Sequence, residues 1–523
     1  MTDTPQARTI MLQGTASDVG KSLLTAALCR ILTEDGWRTA PFKSQNMSLN
    51  SYVTWDGKEI GRAQGMQADA CGILATTDMN PILLKPKGEM LSQVIVHGRP
   101  LRDYEARAYR EELLPLAERI VREALERLRA HTDAVVLEGA GSPAEINLKD
   151  RDIVNMRMAE WAEAPVLLVA DIDRGGVFAA IVGTLELLEP HERNRVAGVI
   201  INKFRGDVSL LRPGLDWLEQ RTGKPVLGVV PYLPGLELES EDSLSLDNIR
   251  PAAVDNLQTG RLDIAVIRLP RLSNFTDLDP LAAEPDVHLR YVDSARALGS
   301  PDAVIVPGSK NTMADLAVLR SSGMAEGLLS YADQGGRVVG VCGGYEMMGR
   351  MLLDPERTES ELSELPGLGW FPFDVVFAAD KRTVRVSGHG SLPGMEGSYP
   401  VEGYEIHTGL IAMPASVQQP FCIQSAVHAP ETSAPPVPEG AASPDGRIWG
   451  TFIHGILHND GFRRAWLDQL RKDRGWPPGE AGFPYHERRQ DSFARLAEHV
   501  RAHVDIEAVY KLMGLEARES ERR

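Results

Sequence analysis

Gly336-Arg337-Val338-Val339-Gly340-Val341-Cys342-Gly343-Gly344-Tyr345-Glu346-Met347-Met348-Gly349 reads as a buried strand over 338–341, a sharp turn at Cys342 and a helix that opens at Gly343. Small residues flank the cysteine because larger ones would collide in a strained strand-to-helix elbow. Such an elbow exposes the sulfur, and the positive end of the helix behind it favours thiolate over thiol. The backbone N–H of Gly343 would then point to where an oxyanion forms. A nucleophilic cysteine is one reading. A buried cysteine in a glycine-rich turn is the other, and the rest of the chain has to decide between them.

Towards the N-terminus, Ile10-Met11-Leu12 reads as a short buried strand. It runs into Gly14-Thr15-Ala16-Ser17-Asp18-Val19-Gly20-Lys21-Ser22 and then into an apolar helix through Leu23, Leu24, Ala27, Leu28 and Ile31. Strand, glycine loop and helix in that order form a phosphate cradle. Backbone around Gly14, Thr15, Asp18, Val19 and Gly20 would wrap the β-phosphate of ATP, Lys21 would neutralise it, and Ser22 would ligate Mg²⁺. Five residues separate the two glycines instead of the usual four, a longer form that resembles the dethiobiotin synthetase branch of P-loop proteins. Apolar runs at 134–137, 166–170, 196–201 and 226–230 suit parallel strands covered on both faces. The spacing predicts a helix over 104–129. Ligands in such sheets sit beyond the C-terminal strand ends, which here carry Glu138, Asp171-Ile172-Asp173-Arg174 and Asn202. Glu138 is placed to help hold Mg²⁺ and Asn202 to hydrogen-bond adenine, although a cap or solvated loop fits each carboxylate as well.

Composition narrows the function. With 523 residues the chain is too long for one core, so two or three domains are expected. A net charge of −17 argues against non-specific binding to nucleic acid or an anionic membrane. Cys29, Cys71, Cys342 and Cys422 lie far apart with no CxxC pair, which fits a reducing compartment and gives no zinc signal. No signal peptide or membrane span is recognisable, so a cytoplasmic location is the expectation. The sequence carries no signal for oligomeric state. An anionic substrate must be met by a local group of cations and amides. Two polar loops offer one: Phe42-Lys43-Ser44-Gln45-Asn46-Met47-Ser48-Leu49-Asn50-Ser51 and Asn80-Pro81-Ile82-Leu83-Leu84-Lys85. From them Lys43, Gln45, Asn46 and Lys85 are the candidate substrate ligands.

Beyond residue 235 acidic residues take over and apolar periodicity fades. The expected division is a P-loop domain over 1–235, an acidic connector over 236–261, a second α/β domain over 262–480 and a helical segment over 481–523. The second domain has strand-like runs at 264–267, 303–306 and 338–341. Phe493, Leu496, Val500 and Val504 form a helical apolar stripe. A Pro-, Ser- and Ala-rich stretch over 429–446 reads as a mobile surface loop, and 517–523 as a frayed end. A base for the cysteine must be a histidine distant in sequence. Among twelve histidines, His454 in Thr451-Phe452-Ile453-His454-Gly455 sits on a strand-to-turn corner, and His407 in Glu405-Ile406-His407 competes with it.

Further stretches carry a resemblance. FKSQNMSLNS, EIGRAQGMQADA, MNPILLKP, SQVIVHGRP, GSPAEINLKDRDIVNM, DIDRGGVFA, INKFRGD, SNFTDLDPL, PGSKNT, VCGGYEMMG, EGYEIHTG and GTFIHG together resemble the cobyric acid synthases, glutamine-hydrolysing amidases of the cobalamin pathway in the CobB/CobQ-type amidotransferase family. The resemblance runs from the P-loop to about residue 460. It implies two doubly wound α/β domains, an N-terminal P-loop domain of the dethiobiotin synthetase type and a C-terminal class I glutamine amidotransferase domain. It also implies ATP- and Mg²⁺-dependent amidation of several carboxylates of an adenosylated corrin, with glutamine as nitrogen donor. By resemblance Cys342 is the nucleophile, His454 the base, and the backbone at Gly308 and Gly343 the oxyanion hole. His407 then shapes the site. Most class I enzymes follow the catalytic histidine with Pro-Glu, and here Gly455-Ile456 stands instead. The expected carboxylate is missing, so the site resembles the cysteine–histidine dyad subgroup, with Glu405 as a candidate substitute. Two alternatives compete: a cobyrinic acid a,c-diamide synthase, and a ParA-like switch ATPase. The latter usually has a lysine where this chain has Thr15.

Overall fold

The computed structural model describes residues 6–88, 90–239, 260–426, 435–479 and 483–516. The chain divides into two compact units. One takes Met1–Ser48, Ile60–Glu241 and Glu487–Arg523, and the other takes Leu49–Glu59 and Asp242–His486.

The first unit is built on six parallel strands in the order Val226–Pro231, Val196–Phe204, Val166–Asp171, Arg8–Gly14, Ala134–Glu138, Thr39–Phe42. Residues 166–171 and 134–138 are buried at every position, as the uninterrupted apolar runs require of strands covered on both faces. Ile10 and Leu12 pack with Leu24, Leu28 and Ile31 of the helix Lys21–Glu34. The same core takes Phe493, Leu496, Val500, Val509 and Met513 from the C-terminal helices Tyr485–His503 and Ile506–Met513. All five are 5% exposed or less, and burial of each contributes about 1.5–3 kcal/mol. The stripe at 493–504 therefore completes the P-loop core, in place of standing as a segment of its own.

A four-stranded sheet is inserted beside this core, ordered Gln45–Met47, Ile82–Pro86, Leu91–Val96, Arg99–Glu105. It shortens the helix predicted over 104–129. Tyr104 pairs with Ser92 in the last strand, a π turn spans Tyr109–Leu113, and the regular helix is Leu114–His131. Pro115 explains the interruption, because it has no N–H for the preceding turn.

Of the acidic stretch 236–261, residues 240–259 lie outside the described residues, as do 427–434 of the Pro-rich stretch and the terminal 517–523. Glu237 and Glu239 are not solvated connector. Ser492 bonds Glu237, and buried Glu239 meets Arg489 at 3.0 Å, which holds its carboxyl down at about 2 despite burial.

The second unit also has six strands, ordered Val287–Val292, Leu262–Ile267, Ala303–Val306, Val338–Val341, Ile448–Thr451, Ala441–Ala442, all parallel except the last. A second, largely antiparallel sheet is dominated by the long strands Asp374–Gly390 and Tyr399–Ile411. Trp449, fully buried, meets Phe462 and Trp466 edge-on in one of the cores.

Candidate active site

The elbow forms as its sequence demands. Val338–Val341 is buried throughout, Cys342 takes φ 51° and ψ −111°, and a short helix covers Gly343–Glu346. That backbone is strained for any residue with a Cβ and is characteristic of a nucleophile held on a turn. Close packing explains the glycines that follow. A Cβ on Gly344 would fall 1.9 Å from the carbonyl oxygen of Val306, and one on Gly343 would fall 2.9 Å from the backbone N of Ser309. The turn after strand Ala303–Val306 is thus pressed against the elbow.

That same turn reaches the histidine. A Cβ built on Gly308 would sit 3.2 Å from Cε1 of His454. Strand Ile448–Thr451 runs beside Val338–Val341, and the Cys342 N–H donates to the Thr451 carbonyl at 2.8 Å. His454 follows three residues later. Cys342, Gly343, Gly308 and His454 therefore gather at the C-terminal ends of three adjacent parallel strands, where open α/β sheets place their ligands. Cys342 is only 6% exposed, against the exposed sulfur expected of the elbow, because its thiol is turned onto the Ile406 carbonyl at 3.5 Å.

His454 has no exposed surface, and each ring nitrogen is engaged. Nδ1 lies 2.6 Å from Oδ2 of Asp277, whose other oxygen accepts the Gly455 N–H at 3.0 Å. Nδ1 thus carries the proton and Nε2 the lone pair. Nε2 lies 3.3 Å from the side-chain nitrogen of Asn274. Tyr404 stacks on the ring at 5.1 Å between centroids. The carboxylate absent from the His454-Gly455-Ile456 triplet is supplied from 177 positions upstream, within SNFTDLDPL. Glu405 does not take this place: it pairs with Arg382.

His407 stacks on Phe452 with centroids 3.7 Å apart, and its Nδ1 meets the Gly409 carbonyl. Burial pushes its pKa down to about 4, so it is neutral at pH 7. Glu346, one turn after the cysteine, accepts from Thr312 at 2.7 Å, and burial pushes its carboxyl up to about 8.

In the first unit, Gly20 adopts φ 96°, and a Cβ there would fall 2.2 Å from the side-chain nitrogen of Asn202. Asn202 donates to the Val19 carbonyl at 2.8 Å, so in the structure it braces the loop. Thr15 N–H bonds Val169 of the neighbouring strand, Asp18 pairs with Arg174, and Lys21 turns its ammonium onto the carbonyls of Ala16 and Gly141. Gly14 is tightly enclosed, with Lys21 Nζ 2.8 Å from where its Cβ would be.

Ser22 donates to Glu138 at 2.9 Å, Lys43 pairs with the same oxygen at 2.9 Å, and Gln67 donates to the other at 2.6 Å. Glu138 is 1% exposed. Gln67 lies within EIGRAQGMQADA, where nothing local to the sequence marks it as a partner of Glu138. Ser22, Lys43 and Gln67 thus converge on Glu138, while Lys21 faces the carbonyls of Ala16 and Gly141. Asn46 and Lys85 share a face of the inserted sheet by strand register, and Asn46 donates to Gln64 at 3.0 Å. Gln45 points to the opposite face, where the Tyr109 hydroxyl donates to it. Among the described residues there is no group of three or more His, Cys, Asp or Glu fit to hold a metal, and no helix long and apolar enough to cross a membrane.

Residues 10–246 match the CobQ/CobB/MinD/ParA nucleotide binding domain, and residues 263–462 match the CobB/CobQ-like glutamine amidotransferase domain. The chain is a glutamine-dependent amidating ligase. It is 49% identical over 510 residues to the cobyric acid synthase of Geobacillus kaustophilus, covering 97% of this chain and 98% of the relative. Against the cobyric acid synthase of Sorangium cellulosum the identity is 51% over 530 residues, covering 98% and 100%. The chain belongs to the cobyric acid synthase family. Among solved structures, one titled "Crystal structure of glutamine amidotransferase" aligns with 40% of this chain and 98% of its own, at 17% identity and a TM-score of 0.29.

Proposed function

We propose that the protein amidates the b, d, e and g side-chain carboxylates of adenosylcobyrinic acid a,c-diamide to give adenosylcobyric acid, in the cytoplasm, with ammonia taken from glutamine. The Cys342 thiolate attacks the side-chain amide of glutamine. N–H groups at Gly343 and near Gly308 stabilise the oxyanion. His454 Nε2 takes the thiol proton and passes it to the departing ammonia, then draws a proton from the water that cleaves the γ-glutamyl thioester to glutamate. Asp277 holds the imidazole in the tautomer this requires and stabilises its protonated form.

The synthetase half activates each carboxylate with ATP as an acyl phosphate, releasing ADP, and ammonia displaces phosphate to leave the amide. The P-loop from Gly14 to Ser22, with Asn202 behind it, binds the nucleotide. Ser22 and Glu138 offer two hard oxygens of the kind Mg²⁺ accepts alongside substrate phosphates. Bound there, the cation would neutralise phosphate charge. Lys43 pairs with Glu138 in the structure, so it has to leave that carboxylate to meet a substrate acid group, beside Asn46 and Lys85. Gln45 reaches the same substrate only by leaving the Tyr109 hydroxyl on the opposite face of the sheet.

One observation carries this reading: the strained Cys342 elbow, the Gly308 turn and a carboxylate-bound His454 share one corner of a parallel sheet. Mass spectrometry of the diamide corrin incubated with ATP and glutamine should show four added amides. Amidation of the unamidated corrin and none of the diamide would reassign the protein as an a,c-diamide synthase. Cys342→Ser should abolish glutamine-dependent synthesis and spare synthesis from ammonia. Glutamine-dependent synthesis surviving that change would refute the cysteine's role.

A further inference from the structure

The second unit contains eleven residues, Leu49–Glu59, that the sequence places in the first half of the chain. Several of their anchors are residues that also touch His454. The Ser51 N–H donates to Oδ1 of Asn274 at 2.7 Å, and Oδ1 of Asn50 accepts the Phe275 N–H at 3.2 Å. The Tyr404 hydroxyl donates to the Ser51 carbonyl at 3.3 Å, and Arg385 donates to the Val53 carbonyl at 3.0 Å. Glu59 is held by Ser51 and Lys381. Tyr404 is the residue stacked on the His454 ring, and Asn274 is the residue bonded to its Nε2.

The chemistry of that last contact is specific. With Nδ1 protonated toward Asp277, the Nε2 lone pair is the position on the His454 ring that can accept the thiol proton. In the structure it accepts an N–H of Asn274 instead. Asn274 cannot swing freely, because its other amide atom is pinned by Ser51 and its backbone sits at φ 52°. Ser51, Asn274 and His454 thus form a continuous relay of buried groups, 0%, 3% and 0% exposed.

We propose that Asn274 is a latch on His454, closed by the Leu49–Glu59 segment, and that its release switches on glutamine hydrolysis. This rests on the assignment of Cys342 and His454 above. The segment is covalently continuous with 43–48, which carries Lys43, Gln45 and Asn46. A substrate that re-seats those side chains pulls on Asn50 and Ser51 through the chain. The latch opens only when an acceptor for the nitrogen is present, and glutamine is spared otherwise.

The test measures glutamate release by the full-length protein, with and without ATP and the diamide corrin. Asn274→Gly removes the latch at a backbone conformation that glycine favours. Loss of one hydrogen bond to the base predicts a roughly three- to tenfold rise in kcat without ATP and corrin, at unchanged KM for glutamine. Stimulation by ATP and corrin should shrink by the same factor. Asn50→Ala, which removes the acceptor of the Phe275 N–H, should move both quantities in the same direction by less, and it carries the test if the glycine variant does not fold. Ammonia-dependent amidation reports folding. An unchanged or lower unstimulated rate in a folded variant overturns the latch, and a lower rate makes Asn274 a support for His454. Glutamate release persisting in Cys342→Ser would refute the underlying site assignment, and the latch with it.

Discussion

Replacing Asp277 by Asn tests the core of the proposed hydrolytic site, because both carboxylate oxygens accept hydrogen bonds and an amide has one acceptor atom. Asp277 takes the Nδ1–H of His454 at 2.6 Å and the Gly455 N–H at 3.0 Å. If the amide oxygen stays on Nδ1–H, its NH₂ faces the Gly455 N–H, donor against donor. A buried donor left in that state costs about 1–3 kcal/mol. If the amide reverses, its NH₂ donates to Nδ1 and the ring proton moves to Nε2. The base then has no lone pair toward the thiol. The charge-assisted bond alone is worth about 1.5–3 kcal/mol, or roughly 10- to 150-fold in rate. A tautomer change in a comparable serine triad costs about 10⁴-fold. Asp277→Asn should therefore lower kcat for glutaminase by about 10²- to 10⁴-fold, measured as glutamate release, with ammonia-supported amidation intact. A folded variant within threefold of the parent would refute the reasoning, and His454 would need no partner on Nδ1.

Three other outcomes follow from the same structure. Lys21→Ala should abolish amidation from glutamine and from ammonia alike, and appreciable ATP-dependent synthesis by that variant would remove the P-loop from the reaction. Gly20→Ala drives a Cβ into Asn202 at a backbone of φ 96°, so nucleotide affinity by calorimetry should fall about 5- to 150-fold, for a strain of about 1–3 kcal/mol. Burial raises the Glu346 carboxyl from 4.5 to about 8, so the fold keeps a proton that the unfolded chain gives up. Its contribution is complete below 4.5 and is lost as pH rises to about 8. Melting temperature should thus decline across that interval, less steeply in Glu346→Gln, and an identical slope in the variant would contradict the burial argument.

What could be read from the sequence is what is local. The P-loop and the cysteine elbow each need a strand, small residues and a helix in immediate succession, so their chemistry is written in consecutive positions. Parallel strands such as 134–138 and 166–171 announce themselves as uninterrupted apolar runs. Asp277 could not be found that way. A lone aspartate in a polar loop looks like a helix cap, and only the fold brings it across 177 positions to His454. The empty Pro-Glu position after His454 was a usable signal that a carboxylate had to arrive from elsewhere, but it named no residue. Leu49–Glu59 escaped for a related reason: the stretch is polar and lacks period, and its partners Asn274, Tyr404 and Lys381 lie more than two hundred residues away. Lys43 shows a third limit. Its charge suggested a substrate acid, while the structure pairs it with Glu138.

Helices Tyr485–His503 and Ile506–Met513 close the core begun by strand Arg8–Gly14. On the ribosome, the first lobe to be synthesised is therefore the last able to finish. Ile10, Leu12 and Leu28 wait with part of their apolar surface uncovered until Phe493, Leu496 and Val509 have been translated. A nonsense codon just after the amidotransferase half would spare that half's own strands and still leave the nucleotide lobe without its lining, a target for proteolysis.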